Sequence, residues 1–307
     1  MTDDLLIAGA SGVVGRHLVA AARAAGRRVR LLSRSPAGPD ARRWDPGRAA
    51  AGDEAAVAEV ASALEGAAAV VNLAGASLAE GRLGRAHRAR VLGSRLDATR
   101  ALVRAFARCQ APPPVWLQAS ATGFYGDTGE ADVTEEAPPG RLFLSEVCAR
   151  WEAAAAEALA APAPPRLVVL RIGLVLAADA PAWAKLVGPI RLGVGGPLGG
   201  GRQWWAWIDA EDLSRAALHL LARDDARGAF NLTAPEPVRQ GDLVAQAALL
   251  LGRPAFLPAP AFALRLALGG VADELLLPSC RALPARLEAL GFRFDRGRVD
   301  QVLVHLV

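Results

Sequence analysis

Near its start the chain runs from a short apolar segment, Leu5-Leu6-Ile7-Ala8, straight into Gly9-Ala10-Ser11-Gly12-Val13-Val14-Gly15. An amphipathic stretch follows, with Val14, Leu18, Ala21, Ala22 and Ala25 on one stripe. A strand, three spaced glycines and a helix in that order leave few folds open. Gly9 permits the tight turn off the strand, Gly12 lets backbone come close to a bound anion, and Gly15 lets helix and strand pack closely. The helix start then offers free N–H groups to that anion. Residues Gly9, Ser11, Gly12, Val13, Val14 and Gly15 are thus the expected grip on a dinucleotide pyrophosphate. In a chain with 31 glycines a bare triplet says little, and the flanking strand and stripe carry the assignment.

Beyond it, β and α patterns alternate. Val29–Leu32, Ala68–Asn72, Val115–Ala119 and Leu167–Leu170 read as buried strands. Between them, Leu92, Leu96, Thr99, Val103 and Phe106 share one helical face, and a second helix is expected from Leu144 to Leu159. Such βαβ units predict an α/β fold, a doubly wound parallel sheet over residues 1–172. After Arg171 the pattern changes to a Gly-rich stretch, Gly193 to Gly201, a Trp cluster, and helices near 212–221, 243–251 and 262–268. A smaller mixed C-terminal part over 173–307 is expected to close the substrate cleft, with segments around 209–232 free to return to the sheet.

Composition narrows the function classes. The net charge is only +4, and the densest basic cluster (Arg82, Arg85, Arg88, Arg90 and Arg95) has no aromatic residue beside it, which argues against nucleic-acid binding. No run reaches the ~18 apolar residues of a membrane span. Three widely spaced cysteines and four scattered histidines give neither a disulfide framework nor a metal site. The expectation is a cytoplasmic protein, monomer or homodimer, acting on a small molecule.

Several motifs together resemble the extended short-chain dehydrogenase/reductase superfamily, in its atypical branch of epimerase family proteins (nucleoside-diphosphate-sugar epimerase-like). They are Gly9-x-x-Gly12-x-x-Gly15, Val71–Gly75, Ser94–Thr99, Ser120–Gly126, Glu146–Glu152, Leu170–Gly173, Gly193–Gly199, Gly201–Trp204 and Trp207–Asp212. The tail, Arg281–Leu287 followed by Gly291–Phe294, is similar to that branch's own C-terminal module. The resemblance implies a Rossmann-type fold and a nicotinamide cofactor. NAD-preferring relatives end the second strand on an acidic residue. Here the place falls at Ser33, followed by Arg34, and a guanidinium pairs with a 2′-phosphate that a carboxylate would repel, so NADP(H) is the expected cofactor. Leu73, Ala74 and Gly75 are expected on the adenine–ribose side. Ala119, Arg171, Gly173 and Leu174 are expected on the nicotinamide side.

Catalysis in the superfamily normally uses a tyrosine with a lysine four residues later, the lysine lowering the phenol pKa. This chain has one tyrosine, Tyr125, and one lysine, Lys185, sixty positions apart. Registered on Trp151-Glu152, the two places fall near Leu144 and Cys148. The candidates left for catalysis are Ser120, Thr122 and Glu146, with Ala121 as the alternative to Ser120 in the hydroxyl's register. Arg95 is expected to bind a phosphate or substrate anion. Tyr125, Arg202, Gln203 and Trp204 are expected in the substrate cleft, and Asp209 and Asp212 as helix caps. Two function classes remain: an NADP-dependent oxidoreductase or epimerase-like enzyme with rewired acid/base groups, or a catalytically silent NADP(H)-binding sensor. Relatives linked to cell division in cyanobacteria and plastids keep the second open by analogy.

Overall fold

Seven strands lie side by side in one fully parallel sheet: β1 (Asp4–Ala8), β2 (Arg28–Ser33), β3 (Ala41–Arg43), β4 (Ala69–Asn72), β5 (Val115–Ala121), β6 (Arg166–Ile172) and β7 (Gly228–Leu232). The computed structural model describes residues 4–78 and 80–307. The spatial order is β7-β6-β5-β4-β1-β2-β3, so the winding reverses between β1 and β4. That reversal opens a crevice at the carboxyl edge, where doubly wound sheets bind ligands. The apolar runs read from the sequence are the central strands, and residues 5–8 of β1 are fully buried because helices cover both faces.

One face carries α2 (Glu54–Leu64), α3 (Arg85–Phe106) and α4 (Phe143–Ala156), packed through Val57, Val60, Leu102, Phe106 and Ala155. The other carries α1 (Val13–Ala24) and α5 (Ala210–Ala222), through Leu18, Leu213 and Leu220. The segment from 209 to 232 therefore lies within the sheet layers, with Leu287 and Phe292 packed on the same face as α5. A separate core gathers Trp183, Trp205, Trp207, Leu243 and Val302 from the rest of the C-terminal half.

Asp209 caps α5, its Oδ2 accepting from the N–H groups of Glu211 (3.0 Å) and Asp212 (3.2 Å). Asp212 does not cap that helix. Its carboxylate accepts instead from the backbone N–H groups of Asp295 and Arg296, pinning the tail's loop against α5.

Candidate active site

The three glycines after β1 have three different surroundings. A Cβ on Gly9, whose φ is +88°, would stand 2.6 Å from the backbone carbon of Leu73. One on Gly15 would stand 2.5 Å from the Gly9 carbonyl oxygen. One on Gly12 would meet nothing closer than the Gly9 oxygen at 3.6 Å. The outer two are held by the fold, whereas the middle one fronts open space. Gly12 is also the N-cap of α1 and supplies no side-chain cap, so the N–H groups of Val13, Val14 and Gly15 face that space without an intrahelical partner. An anion is the natural partner there.

At the end of β2, Ser33 Oγ accepts from the Ser35 N–H at 3.2 Å. Arg34 is exposed and has no partner among the described residues. Strand pairing sets Arg43 of β3 beside Ser33, placing a second guanidinium at the same edge. Across the crevice, the Leu73–Gly75 turn is fixed from below: Asn72 Oδ1 accepts from the Ala74 N–H, while Asn72 Nδ2 donates to Thr99 and Gln118. Trp151 Nε1 donates to the same Thr99 hydroxyl at 3.0 Å, tying α3 to α4.

Next to this edge lies a cleft of about 800 Å³. It gathers Arg95, Thr122, Gly173, Leu174 and Trp204, five of the expected site residues, with Ala121, Leu144, Cys148 and Trp151. Leu144 and Cys148 stand one turn apart on α4, where the superfamily's pair was sought. Burial pushes the Cys148 thiol up to about 11 and the Cys280 thiol up to about 12, so both stay protonated at neutral pH. Arg95 Nη1 donates to the carbonyls of Ala76 (3.1 Å) and Val91 (2.9 Å), and its guanidinium lies over the Trp151 ring. Burial lowers its pKa without bringing a carboxylate to it.

Other expected residues lie elsewhere. Ser120 lies outside the lining, behind Cys148, and donates to Glu152 Oε1 at 2.6 Å, while Ala121 is the residue of β5 that lines the cleft. Arg171, expected beside the cofactor, turns inward. It makes a two-pronged pair with Glu152 (3.0 and 3.0 Å) and donates to the Tyr125 hydroxyl and the Glu135 carbonyl. Tyr125, expected as cleft wall, is buried behind it and donates to Asn231 Oδ1 at 2.6 Å, and burial raises its pKa to about 12. Ala119 is buried in β5 and lies outside the cleft lining. Glu146 sits on the solvent face of α4, paired with Arg150. Arg202 is exposed, and its carbonyl accepts from Arg239. Gln203 donates to the carbonyls of Leu198 and Leu276 and so braces the Gly-rich stretch.

Five contributors escaped the sequence reading. Glu152, Glu135 and Asn231 complete the buried network, Asn231 by taking the register position beside Arg171 on β7. Glu274 reaches the start of α4 and accepts from the N–H groups of Phe143 (3.2 Å) and Leu144 (3.0 Å). Lys185 reaches the cleft from the helix Pro181–Arg191. No local signal marks Glu274, because its partners stand some 130 residues earlier.

A model of the NAD dependent epimerase/dehydratase family matches residues 5–233, and one of a domain of unknown function, DUF1731, matches residues 259–306. The chain is 36% identical over 300 residues to the "Epimerase family protein SDR39U1 homolog, chloroplastic" of Arabidopsis thaliana, covering 97% of this chain and 84% of the relative. It is 31% identical over 306 residues to the human epimerase family protein SDR39U1, covering 99% of both. The crystal structure of that human protein (isoform 2) with NADPH superposes with a TM-score of 0.88 at 30% identity, over 99% of this chain and 98% of that one. MoeE5 in complex with UDP-glucuronic acid and NAD shares the fold, with a TM-score of 0.76 at 20% identity, over 99% of this chain and 98% of that one.

Proposed function

The chain belongs to the NAD dependent epimerase/dehydratase family, and from that premise we propose that it binds NADP(H) along the carboxyl edge of the sheet and acts as an oxidoreductase or epimerase-like enzyme on a small molecule in the adjoining cleft. The observation that carries this reading is the open space at Gly12 between two glycines that the fold itself requires. The N–H groups of Val13, Val14 and Gly15 hold the pyrophosphate, while Ser33 and Arg34 take the 2′-phosphate. Leu73–Gly75 line the adenine–ribose side, and the backbone at Gly173 and Leu174 faces the nicotinamide. The cofactor supplies hydride chemistry when bound. Arg95 is a half-buried cation open to an anionic group, and the Thr122 hydroxyl is the hydrogen-bond donor of the expected catalytic set that lines the cleft. The human SDR39U1 structure with NADPH agrees with this choice of cofactor. Calorimetric titration with NADPH and NADH tests it: NADPH binds more tightly, and equal or tighter NADH binding overturns the assignment.

A second reading, a silent NADP(H) sensor, is favoured by Leu144 and Cys148. One has no proton to give and the other holds its proton well above neutral pH. Following NADPH oxidation across a panel of carbonyl compounds separates the two, since a sensor binds NADPH and turns over none. All three cysteines are free thiols, which supports a reducing cytoplasmic setting, and among the described residues no helix is long and apolar enough to cross a membrane.

A further inference from the structure

The cleft wall is built almost wholly from Leu, Ile, Val, Ala, Gly and Trp. Among the described residues its lining includes no Asp, Asn, Gln, Ser, His or Tyr. Its one carboxylate, Glu274, is occupied at the start of α4, where both oxygens accept helix N–H groups. Beside it the lining has the Thr122 hydroxyl, two protonated thiols, Arg95, and Lys185, which lies on an exposed stretch and already has a partner. Arg95 spends Nη1 on two carbonyls, and its Nε and Nη2 have no acceptor among the described residues. The apolar lining runs outward to Val194 and Leu257, which are 58% and 50% exposed.

A nucleotide sugar would bring two phosphates and a set of hydroxyls into this space. Each group stripped of water without a partner is unfavourable, and the wall has few partners to offer. An alkyl body loses nothing by leaving water, and a half-buried guanidinium without a counter-ion favours one carboxylate. We infer that the cleft takes an amphipathic ligand with a long apolar body and a single carboxylate held by Arg95, rather than a nucleotide sugar. This rests on the reading above, in which the cleft is the substrate side of the site.

The test is calorimetry on the full chain, without cofactor, using octanoate, decanoate and dodecanoate below their micelle concentrations, with decanol and UDP-glucose as comparisons. Affinity should rise about four-fold per added methylene, the step that a buried CH2 gives. Arg95→Gln should weaken decanoate about ten-fold or more while leaving decanol unchanged. Leu264→Glu, which sets a carboxylate in the apolar wall, should weaken all three acids, and it stands in for Arg95→Gln if that variant does not fold. A flat chain-length series, or UDP-glucose binding more tightly than dodecanoate, overturns the inference. So does decanoate binding that ignores both substitutions. NADPH is titrated separately into the same protein. NADPH binding without carboxylate binding sinks this inference alone, whereas the loss of NADPH binding sinks the cofactor reading.

Discussion

Gly12 and Gly15 differ by one methyl's worth of room, and on the proposed reading that difference should separate cofactor binding from folding. At Gly12 the backbone is ordinary (φ −72°, ψ 166°), and an added Cβ meets only the Gly9 oxygen at a relaxed 3.6 Å. Gly12→Ala should therefore fold, losing at most about 1 kcal/mol for the poorer N-cap. Unfolding entropy near 2.1 cal/mol/K per residue, over 307 residues, comes to about 0.6 kcal/mol/K, so Tm should fall by no more than about 2 °C. On the proposed reading, the same methyl stands where a phosphate approaches the first-turn N–H groups. Losing one charge-assisted hydrogen bond removes about 1.5–3 kcal/mol, or roughly 10- to 150-fold in Kd for NADPH. Gly15→Ala should do the reverse, because its Cβ would sit 2.5 Å from the Gly9 oxygen and 2.6 Å from Ala10 Cα. Backbone must shift to admit it, at about 1–3 kcal/mol or more. Calorimetry and thermal melts on the two variants give both quantities. A Gly12→Ala protein that melts normally and binds NADPH as the native chain does would refute the cradle, leaving the triplet as only a turn.

Arg34→Ala should weaken NADPH about 10- to 150-fold, by loss of a charge-assisted contact, and leave NADH nearly unchanged in the same titration. Glu152→Ala strands the buried Arg171 guanidinium and should remove about 3–5 kcal/mol, or about 5–8 °C in Tm, whereas a scan showing no loss would mean the pair is idle. Tyr125→Phe should leave the kcat of any turnover found unchanged and lower the denaturant midpoint, while a large fall in kcat would return Tyr125 to the cleft chemistry. The native state keeps protons on Cys148, Cys280 and Tyr125 at pH values where the unfolded chain has begun to release them. Their stabilisation is thus complete below about pH 9 and lost as pH rises through 11 to 12, which denaturant melts across that range should register.

The sheet was readable because its strands are apolar runs between helical stretches, and the crevice because glycine spacing has a steric meaning. Side-chain direction was not. Ser120 and Ala121 alternate across β5, and one residue of register decides which meets the cleft. On α4 the helical repeat alone sorts the faces. Leu144, Cys148 and Trp151 follow the helical repeat along one face, whereas Glu146 lies about 200° around from Leu144 and had to point elsewhere. The roles of Tyr125 and Arg171 depend on Asn231, Glu152 and Glu135, partners that only the assembled sheet brings within reach.

The Glu274 carboxylate that closes the first turn of α4 also sets an order of events. The helix that floors the cleft is translated well before the residue that finishes it, so a nascent chain holding only the sheet carries that turn open. Until the segment that carries Glu274 is in place, the Phe143 and Leu144 N–H groups lack that acceptor. A chain ended before Glu274 would lose that acceptor, the stretch of cleft wall from Leu275 to Cys280, and the Leu287 and Phe292 packing on the sheet together.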